Sequence, residues 1–307
     1  YLTTNYHRTT EQLMDWQRQL IWLYVEICRL YKQELGQHCQ RFSNNCLPEF
    51  TDEEVMTIYI FGVMEHRTTV KDIHRHAKHH LFGWFPKLPQ YEAFNARLTF
   101  LCAAFEHLLP LLERMIPYHE VIANVRLIDS MPIIVAKNSR SRTAKVAPEI
   151  CDQGYCSSKD LHYYGVKLHG FALKRFGLMP RIKHIVFTPA SQHDVLELRT
   201  QAGYWGACDA YGDKGYFYHQ LDQHLPDTRV VVYTPIQRAK NSPPLNEAQL
   251  LWNTSVSRMR QPIECFFSWL QEKTNIQNAS KVRSTKGLLV HLLGKVAAAL
   301  VILILNP

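Results

Sequence analysis

The chain has 307 residues, of which 46% are hydrophobic, and this composition indicates one or two globular cores and excludes a disordered or fibrous protein. The net charge of +8 is concentrated in residues 126–183, with 11 Lys or Arg against 4 Asp or Glu, and in residues 258–307, with 7 against 2. Two separate basic segments favour a polyanionic partner, most simply nucleic acid, over a basic surface that only aids solubility.

Residues 1–118 are predicted to be all-helical. Leu, Ile and Trp recur at helical spacing over residues 11–36. In FTDEEV, Thr51 is a suitable N-cap and Glu54 completes a capping box. Further helices are predicted in TTVKDIHRHAKHH and through YEAFNARLTFLCAAFEHLLPLLERM. These short helices resemble a helix-turn-helix unit, in which the middle helix carries a basic face that could contact phosphates: Arg67, Lys71, Arg75 and Lys78.

After Pro117 the periodicity becomes strand-like. Five strands are predicted at EVIANVRLIDSMPIIVAK, YYGVKLHGFALKRFG, LMPRIKHIVFTPAS, ACDAYGDKGYF and TRVVVYTPI. Helices are predicted at DVLELRTQA, GYFYHQLDQHL and NEAQLLWNTSVSRMRQPIECFFSWLQEK. This order predicts an α/β fold in which a mixed sheet is flanked by helices. Residues 137–160, which are polar and basic, are expected to form an exposed loop.

The tail GLLVHLLGKVAAALVILIL is long enough to cross a bilayer. His291 and Lys295 interrupt it, however, and no second apolar segment of this length accompanies it. A buried packing helix is therefore favoured over a membrane anchor. The eight Cys form no paired framework and no signal peptide is visible, so a cytoplasmic protein with reduced thiols and no membrane partner is expected.

Three carboxylates stand out because of the elements that carry them. Asp129 lies inside the otherwise apolar strand LIDSMPII, where an uncompensated charge is costly, and Asp213 lies at the exit of a later strand. Glu264 projects from the long late helix. If the two strands are neighbours, all three groups can meet at one edge of the sheet. Three oxygen donors with open coordination positions suit Mg²⁺ or Mn²⁺.

These segments resemble a DDE transposase of a bacterial insertion sequence, which has an RNase H-like catalytic fold. LIDSMPI is similar to the first-Asp strand of that family, YGDKGYF to its second-Asp motif, and PASQHD to the polar turn between them. RMRQPIECFFSWLQEK partly matches the signature Tyr-x2-Arg-x3-Glu-x6-Lys. Arg260 and Glu264 occupy the Arg and Glu places, whereas Ser257 replaces Tyr, Gln271 replaces Lys, and Lys273 follows two residues later.

The resemblance implies a two-domain organisation. Residues 1–118 would form a helical domain that binds terminal inverted repeats, and residues 119–307 an RNase H-like catalytic domain. Asp129, Asp213 and Glu264 would be both the catalytic residues and the ligands of two Mg²⁺ ions, with Mn²⁺ as a substitute. The residues expected to contact DNA are Arg260, Arg258, Lys273, Gln271, Lys214, Arg140, Arg142 and Lys145.

The resemblance also implies a reaction and partners. Water would attack a phosphodiester at each element end, and the released 3′-OH would attack target DNA. The partners would be double-stranded DNA, as transposon ends and as target, and further copies of the chain in a homodimer or larger synaptic complex. A bacterial, nucleoid-associated location follows. Two alternatives stay open: a related RNase H-like DNA nuclease, and a transposase-derived DNA-binding protein without catalytic activity.

Overall fold

The computed structural model describes residues 2–40, 48–117, 119–216, 229–238 and 243–306. Within these ranges there are eight α-helices and six strands. The helices are α1 Leu2–Gln33, α2 Asp52–Met64, α3 Val70–His80, α4 Tyr91–Phe100, α5 Cys102–Met115, α6 Asp194–Ala202, α7 Glu247–Thr274 and α8 Thr285–Leu305. The strands are β1 Val121–Lys137, β2 Asp152–Cys156, β3 Leu161–Arg175, β4 Arg181–Pro189, β5 Cys208–Tyr211 and β6 Val230–Tyr233.

The chain divides into two compact units. The first, which is helical, comprises Tyr1–Pro117, Glu272–Ile276 and Val282–Pro307, and the second, which contains the sheet, comprises Tyr118–Gln271 and Gln277–Lys281. The predicted division into residues 1–118 and 119–307 differs from this one at the C-terminal end. The reason is that α8 packs against α2, α4 and α5, so it groups with the N-terminal helices by contact.

The helices of the first unit begin where their capping residues predict. The Thr51 hydroxyl accepts a hydrogen bond from the Glu54 amide, and the Glu54 carboxylate accepts one from the Thr51 amide, which confirms the capping box. The single helix predicted through YEAFNARLTFLCAAFEHLLPLLERM is instead two helices, α4 and α5. They separate at Leu101, whose amide donates to the carbonyls of both Arg97 and Leu98, so the backbone tightens locally there.

The apolar C-terminal segment forms α8, which is long and apolar enough to cross a membrane by length and composition. In the folded chain, however, 72% of its most apolar window is buried. Its two polar side chains have partners: the His291 ring nitrogen lies 2.8 Å from the Ile276 carbonyl oxygen, and Lys295 donates to the Asn275 carbonyl at 3.1 Å. This burial is what the predicted packing helix requires.

The second unit is built on a mixed sheet, which confirms the predicted α/β fold. The strand order is β2-β3-β1-β5-β6, and β4 also pairs with β3. β1 is antiparallel to β3 and parallel to β5, and β5 is parallel to β6. Helix α6 and residues 247–271 of α7 belong to the same unit, so the sheet is flanked by helices as in RNase H-like domains.

Residues 137–160 are more ordered than the predicted exposed loop. They contain two short 3₁₀ helices, Asn138–Arg142 and Ser157–Lys159, and the strand β2. The strand DQGYC is short and has no apolar alternation, so only its pairing with the start of β3 reveals it. The helix predicted at GYFYHQLDQHL lies almost entirely outside the described residues.

Candidate active site

The register of β1 and β5 places Asp129 and Asp213 at the same level of the sheet. These strands are parallel neighbours, and Leu127 pairs with Tyr211. Each aspartate follows two residues after that pair, Asp129 within β1 and Asp213 just beyond the end of β5. The expectation that the two strands are neighbours is therefore confirmed, and two carboxylates lie close together where β5 ends.

Helix α7 packs close to Asp129 because the residue opposite Asp129 on the neighbouring strand β3 is a glycine. Gly170 is the cross-strand partner of Asp129. A Cβ at Gly170 would lie 2.8 Å from Cζ of Phe267 and 3.8 Å from Cδ1 of Ile263, both on the buried side of α7. This close approach of helix and strand brings Glu264, which follows Ile263, to the side of Asp129.

Arg260 joins the helix to the strand. Its Nη2 lies 3.2 Å from Oε1 of Glu264 and 3.7 Å from Oδ1 of Asp129. The Arg260 side chain is only 9% exposed, whereas that of Glu264 is 52% exposed. The Nε atom of Arg260 is buried and makes no hydrogen bond to any residue that the structure describes. One guanidinium is thus shared between two carboxylates and is itself incompletely bonded.

The carboxylates of this site disfavour one another's charged forms. Burial raises the pKa of Asp129 to about 7; Arg260 opposes this shift, and the negative charges of Asp213 and Glu264 add to it. Burial also raises the pKa of Asp213, again against the effect of Arg260. A further cation among these groups would relieve the repulsion and favour their ionised forms.

The donor set fits a divalent cation of the Mg²⁺ type, which prefers carboxylate oxygens and keeps positions open for water and phosphate oxygens. As the side chains stand, no three His, Cys, Asp or Glu in the described ranges are grouped closely enough to hold a metal ion. Arg260 lies between Asp129 and Glu264. Because the Glu264 side chain is half exposed, it can turn away from Arg260 without disturbing the buried core.

Two grooves contain predicted DNA-contacting residues. The first is shallow and open, has a volume of about 530 Å³ and follows one exposed side of α7, with Arg258, Ser257 and Glu264 among its lining residues. The second, of about 800 Å³, lies beside the C-terminal end of β1, and its lining includes Arg140. The other residues that line this second groove include Lys137, Lys159, Gln277 and Asn278.

The remaining predicted contacts are distributed more widely. Lys214, Arg142 and Lys145 are exposed, and Lys214 directly follows Asp213. The Oε1 atom of Gln271 accepts a hydrogen bond from the Gln277 amide at 2.9 Å, so this side chain holds the turn after α7. Arg260, another predicted contact on α7, points inward to Asp129, so these two side chains do not form one exposed DNA-facing surface. Lys273, in the last turn of α7, pairs with Glu272 at 3.1 Å.

A fourth carboxylate, Asp194, lies at this site with a lysine partner, and neither residue was predicted from the sequence to belong to it. Asp194 was assigned only to a polar turn, but its Oδ1 lies 2.8 Å from Nζ of Lys167 and its Oδ2 accepts a hydrogen bond from Ser130, the neighbour of Asp129. The sequence feature that could have revealed this pair is Lys167, a charged residue in the apolar part of YYGVKLHGFALKRFG. A buried lysine needs a partner, and that partner is not local in sequence.

A mixed sheet flanked by helices, with two aspartates from parallel strands and a glutamate from a packed helix, defines an RNase H-like DDE domain. A family model described as a transposase DDE domain matches residues 120–285, more than half of the chain, and this range includes Asp129, Asp213 and Glu264. The chain belongs to this transposase family. No curated protein and no solved structure matches it.

Proposed function

We propose that this protein is a DNA transposase that cleaves a phosphodiester at each end of an insertion sequence and joins the released 3′-OH to target DNA. The observation that carries this proposal is the convergence of Asp129, Asp213 and Glu264 around the buried Arg260. The carboxylates come from elements far apart in the sequence, and their proximity is electrostatically unfavourable without a cation. Such an arrangement is common at functional sites and needs a reason.

Asp129, Asp213 and Glu264 would hold one or two Mg²⁺ ions, with Mn²⁺ as a substitute, and these ions would lower the pKa of the attacking hydroxyl and stabilise the leaving oxygen. The chain itself supplies positioning. The backbone of β1 and the turn after β5 fix the two aspartates, while α7 presents Glu264 from the opposite side. Arg260 offsets the repulsion between Asp129 and Glu264 and orients both. Neither step needs ATP or a covalent protein intermediate.

The two grooves provide basic side chains for the DNA backbone. Arg258 lies in the groove that contains Glu264, so it would contact a phosphate close to the one that reacts. Arg140 would contact the backbone farther along β1, and Arg142, Lys145 and Lys214 add exposed positive charge. These contacts would supply affinity without reading the sequence, and binding would weaken as the salt concentration rises.

The first unit would recognise the terminal inverted repeats. One side of α3 is buried through Ile73 and Ala77, and the other side exposes Lys71, Arg75 and Lys78 to solvent. A helix with a packed apolar side and an exposed basic side can lie against a phosphate backbone. Because two ends must be cut, a homodimer or a larger synaptic complex on DNA is part of the proposal.

A cleavage and strand-transfer assay tests this function. Labelled duplexes carrying the inverted repeats that flank the gene are incubated with Mg²⁺ or Mn²⁺ and with wild type, Glu264→Gln or Glu247→Gln. The last variant is the matched control, because Glu247 is an exposed carboxylate at the start of the same helix. We expect metal-dependent nicking and joined product from wild type and from the control, and neither from Glu264→Gln.

Other outcomes would separate the alternatives. Nicking without joined product in wild type would favour a DNA nuclease. Tight binding to the ends without chemistry in any of the three proteins would favour a DNA-binding protein that has lost catalysis. Activity that survives Glu264→Gln would show that the three carboxylates do not form the reacting centre.

A further inference from the structure

A hydrogen-bonded network lies on the other side of the two aspartates from α7 and is centred on Asp194, the first residue of α6. Nζ of Lys167, from β3, lies 2.8 Å from Oδ1 of Asp194 and also donates to the Gln192 carbonyl at 2.6 Å. The Ser130 hydroxyl donates to Oδ2 of Asp194 at 2.9 Å. The Asp194 side chain is 15% exposed and that of Lys167 is 18% exposed, so the pair is mostly removed from water.

This network contacts both strand aspartates. Through Ser130 it reaches Asp129, because the Ser130 amide donates to Oδ1 of Asp129 at 2.9 Å. It also lies beside Asp213: a Cβ built on Gly215 would lie 3.0 Å from Oδ1 of Asp213 and 3.4 Å from Oδ2 of Asp194. The glycine therefore leaves space beside both carboxylates, and the charge of Asp194 adds to the raised pKa of Asp213.

A buried hydroxyl lies at the same place. Tyr216 is fully buried, and its hydroxyl interacts with Ser130, the residue that joins Asp129 to Asp194. Burial raises the pKa of Tyr216 well above its ordinary value, and the charges of Asp194, Asp129 and Asp213 add to this shift, so its hydroxyl lies close to these carboxylates. The network beside the two aspartates therefore includes a buried tyrosine hydroxyl as well as Ser130.

An ion pair that served only to hold α6 against β3 would not have to lie beside the two aspartates. Buried ion pairs contribute little net stability, because the cost of removing both charges from water offsets their attraction. A pair of this kind has a clearer purpose where it fixes the orientation of groups that bind a ligand. Outer hydrogen-bond partners of metal-binding carboxylates have this role in general.

We propose that Asp194, anchored by Lys167, is a positioning residue that orients Asp129, through Ser130, and Asp213 for divalent-cation binding. This inference rests on the proposed function in that it takes Asp129 and Asp213 as the metal-binding residues. Asp194 acts through them and does not touch the reacting atoms.

Mn²⁺ binding to the full chain without DNA, followed by electron paramagnetic resonance, tests the proposal independently of catalysis. We expect Asp194→Asn to weaken Mn²⁺ binding by about 10- to 100-fold, the usual effect of losing an outer partner of a metal ligand. Ser130→Ala should weaken it in the same direction. The matched control is Glu197→Gln, which removes a carboxylate three residues later on α6 that accepts a hydrogen bond from Gln201.

A second measurement separates positioning from folding. In the cleavage assay, Asp194→Asn should raise the Mg²⁺ concentration that gives half of the maximal rate, and high Mg²⁺ should restore most of that rate. The proposal is overturned if Asp194→Asn binds Mn²⁺ as tightly as wild type, or if Glu197→Gln weakens binding equally. A wild type that binds Mn²⁺ in an Asp194-dependent way but neither cuts nor joins DNA would overturn the proposed function and leave this inference standing.

Discussion

Among the residues that the structure describes, two aspartate–arginine pairs that are largely buried are built very differently. In the helical unit, Asp52 is 5% exposed and Arg97 holds it with two nitrogens, Nε at 2.5 Å from Oδ1 and Nη2 in contact with Oδ2. Tyr31 donates to the same carboxylate at 2.6 Å, and Arg97 also donates to the Cys39 carbonyl. Both charged groups in this pair have good partners.

The pair in the sheet unit is incomplete by comparison. Arg260 approaches Asp129 with one nitrogen at 3.7 Å, shares that nitrogen with Glu264 and leaves Nε without a partner among the described residues. Two further carboxylates, Asp213 and Asp194, lie nearby. The difference shows that two buried ion pairs in the same protein can have different roles. A fully bonded pair stabilises a local structure, whereas an underbonded, acidic one is the arrangement that the proposed cation site requires.

The largest effect should come from Asp213→Asn. We expect the cleavage rate to fall about ten-thousandfold, the scale on which enzymes lose activity when a catalytic group is removed. In metal-free buffer at neutral pH the melting temperature should rise, because the raised pKa of Asp213 shows that its charged form is disfavoured in the folded chain. Both quantities should stay near wild type in Asp209→Asn, a control on β5. A lower melting temperature for Asp213→Asn would show that the charge of Asp213 stabilises the folded chain, which would contradict the contrast between the two pairs.

Arg97→Met should have the next largest effect, and on stability. Removing the arginine leaves Asp52 buried without its main partner, which should lower the free energy of unfolding by about 3–5 kcal/mol. Chemical denaturation followed by circular dichroism measures this change. Arg75→Met is the control, since Arg75 is an exposed partner of Asp72 and such pairs contribute at most about 1 kcal/mol. Equal losses in the two variants would show that the buried pair has no special importance.

Gly170→Ala should have a smaller effect on both stability and activity. The added methyl group would meet the Phe267 ring at 2.8 Å, so α7 must shift and Glu264 must shift with it. We expect a loss of about 1–3 kcal/mol in unfolding free energy and a lower cleavage rate. At Gly206 a Cβ would meet nothing within 4 Å, so Gly206→Ala is the matched control. Unchanged stability in Gly170→Ala would mean that α7 does not depend on this close contact.

The change that is smallest at each step is a gradual dependence of stability on pH in metal-free buffer. The pKa of Asp129 is about 7 in the folded chain and about 4 when unfolded, so between these values the folded chain binds more protons. Stability should therefore fall as the pH rises from about 4 to about 7, by at most about 1.4 kcal/mol per pH unit for one proton. The same denaturation series should show a flatter slope in Asp129→Asn. If the stability of wild type instead rose with pH over this range, the folded chain would favour the ionised form of Asp129, contrary to the prediction.

Much of the local structure was predictable because its causes are local. The capping residues of α2 and the apolar spacing of the helices depend on residues within one or two turns, and these predictions are confirmed. Asp129 was recognisable because a charge in an apolar strand is costly wherever the strand lies, and Asp213 because it stands at the exit of a strand in a segment similar to the second-Asp motif of the family. The short β2 and the break at Leu101 escaped prediction, since one depends on pairing with β3 and the other on a small local tightening of the backbone.

The sequence by itself determined that this is an α/β protein with a helical N-terminal part, and that Asp129, Asp213 and Glu264 are its candidate catalytic groups. Only the tertiary structure decided that β1 and β5 are parallel neighbours in the register that places Asp129 beside Asp213. It also decided that Arg260 turns inward to Asp129 and that Lys167 and Asp194 join the same site. Hydrophobic periodicity specifies which face of an element is buried, whereas the partner buried against it is set by packing between distant segments.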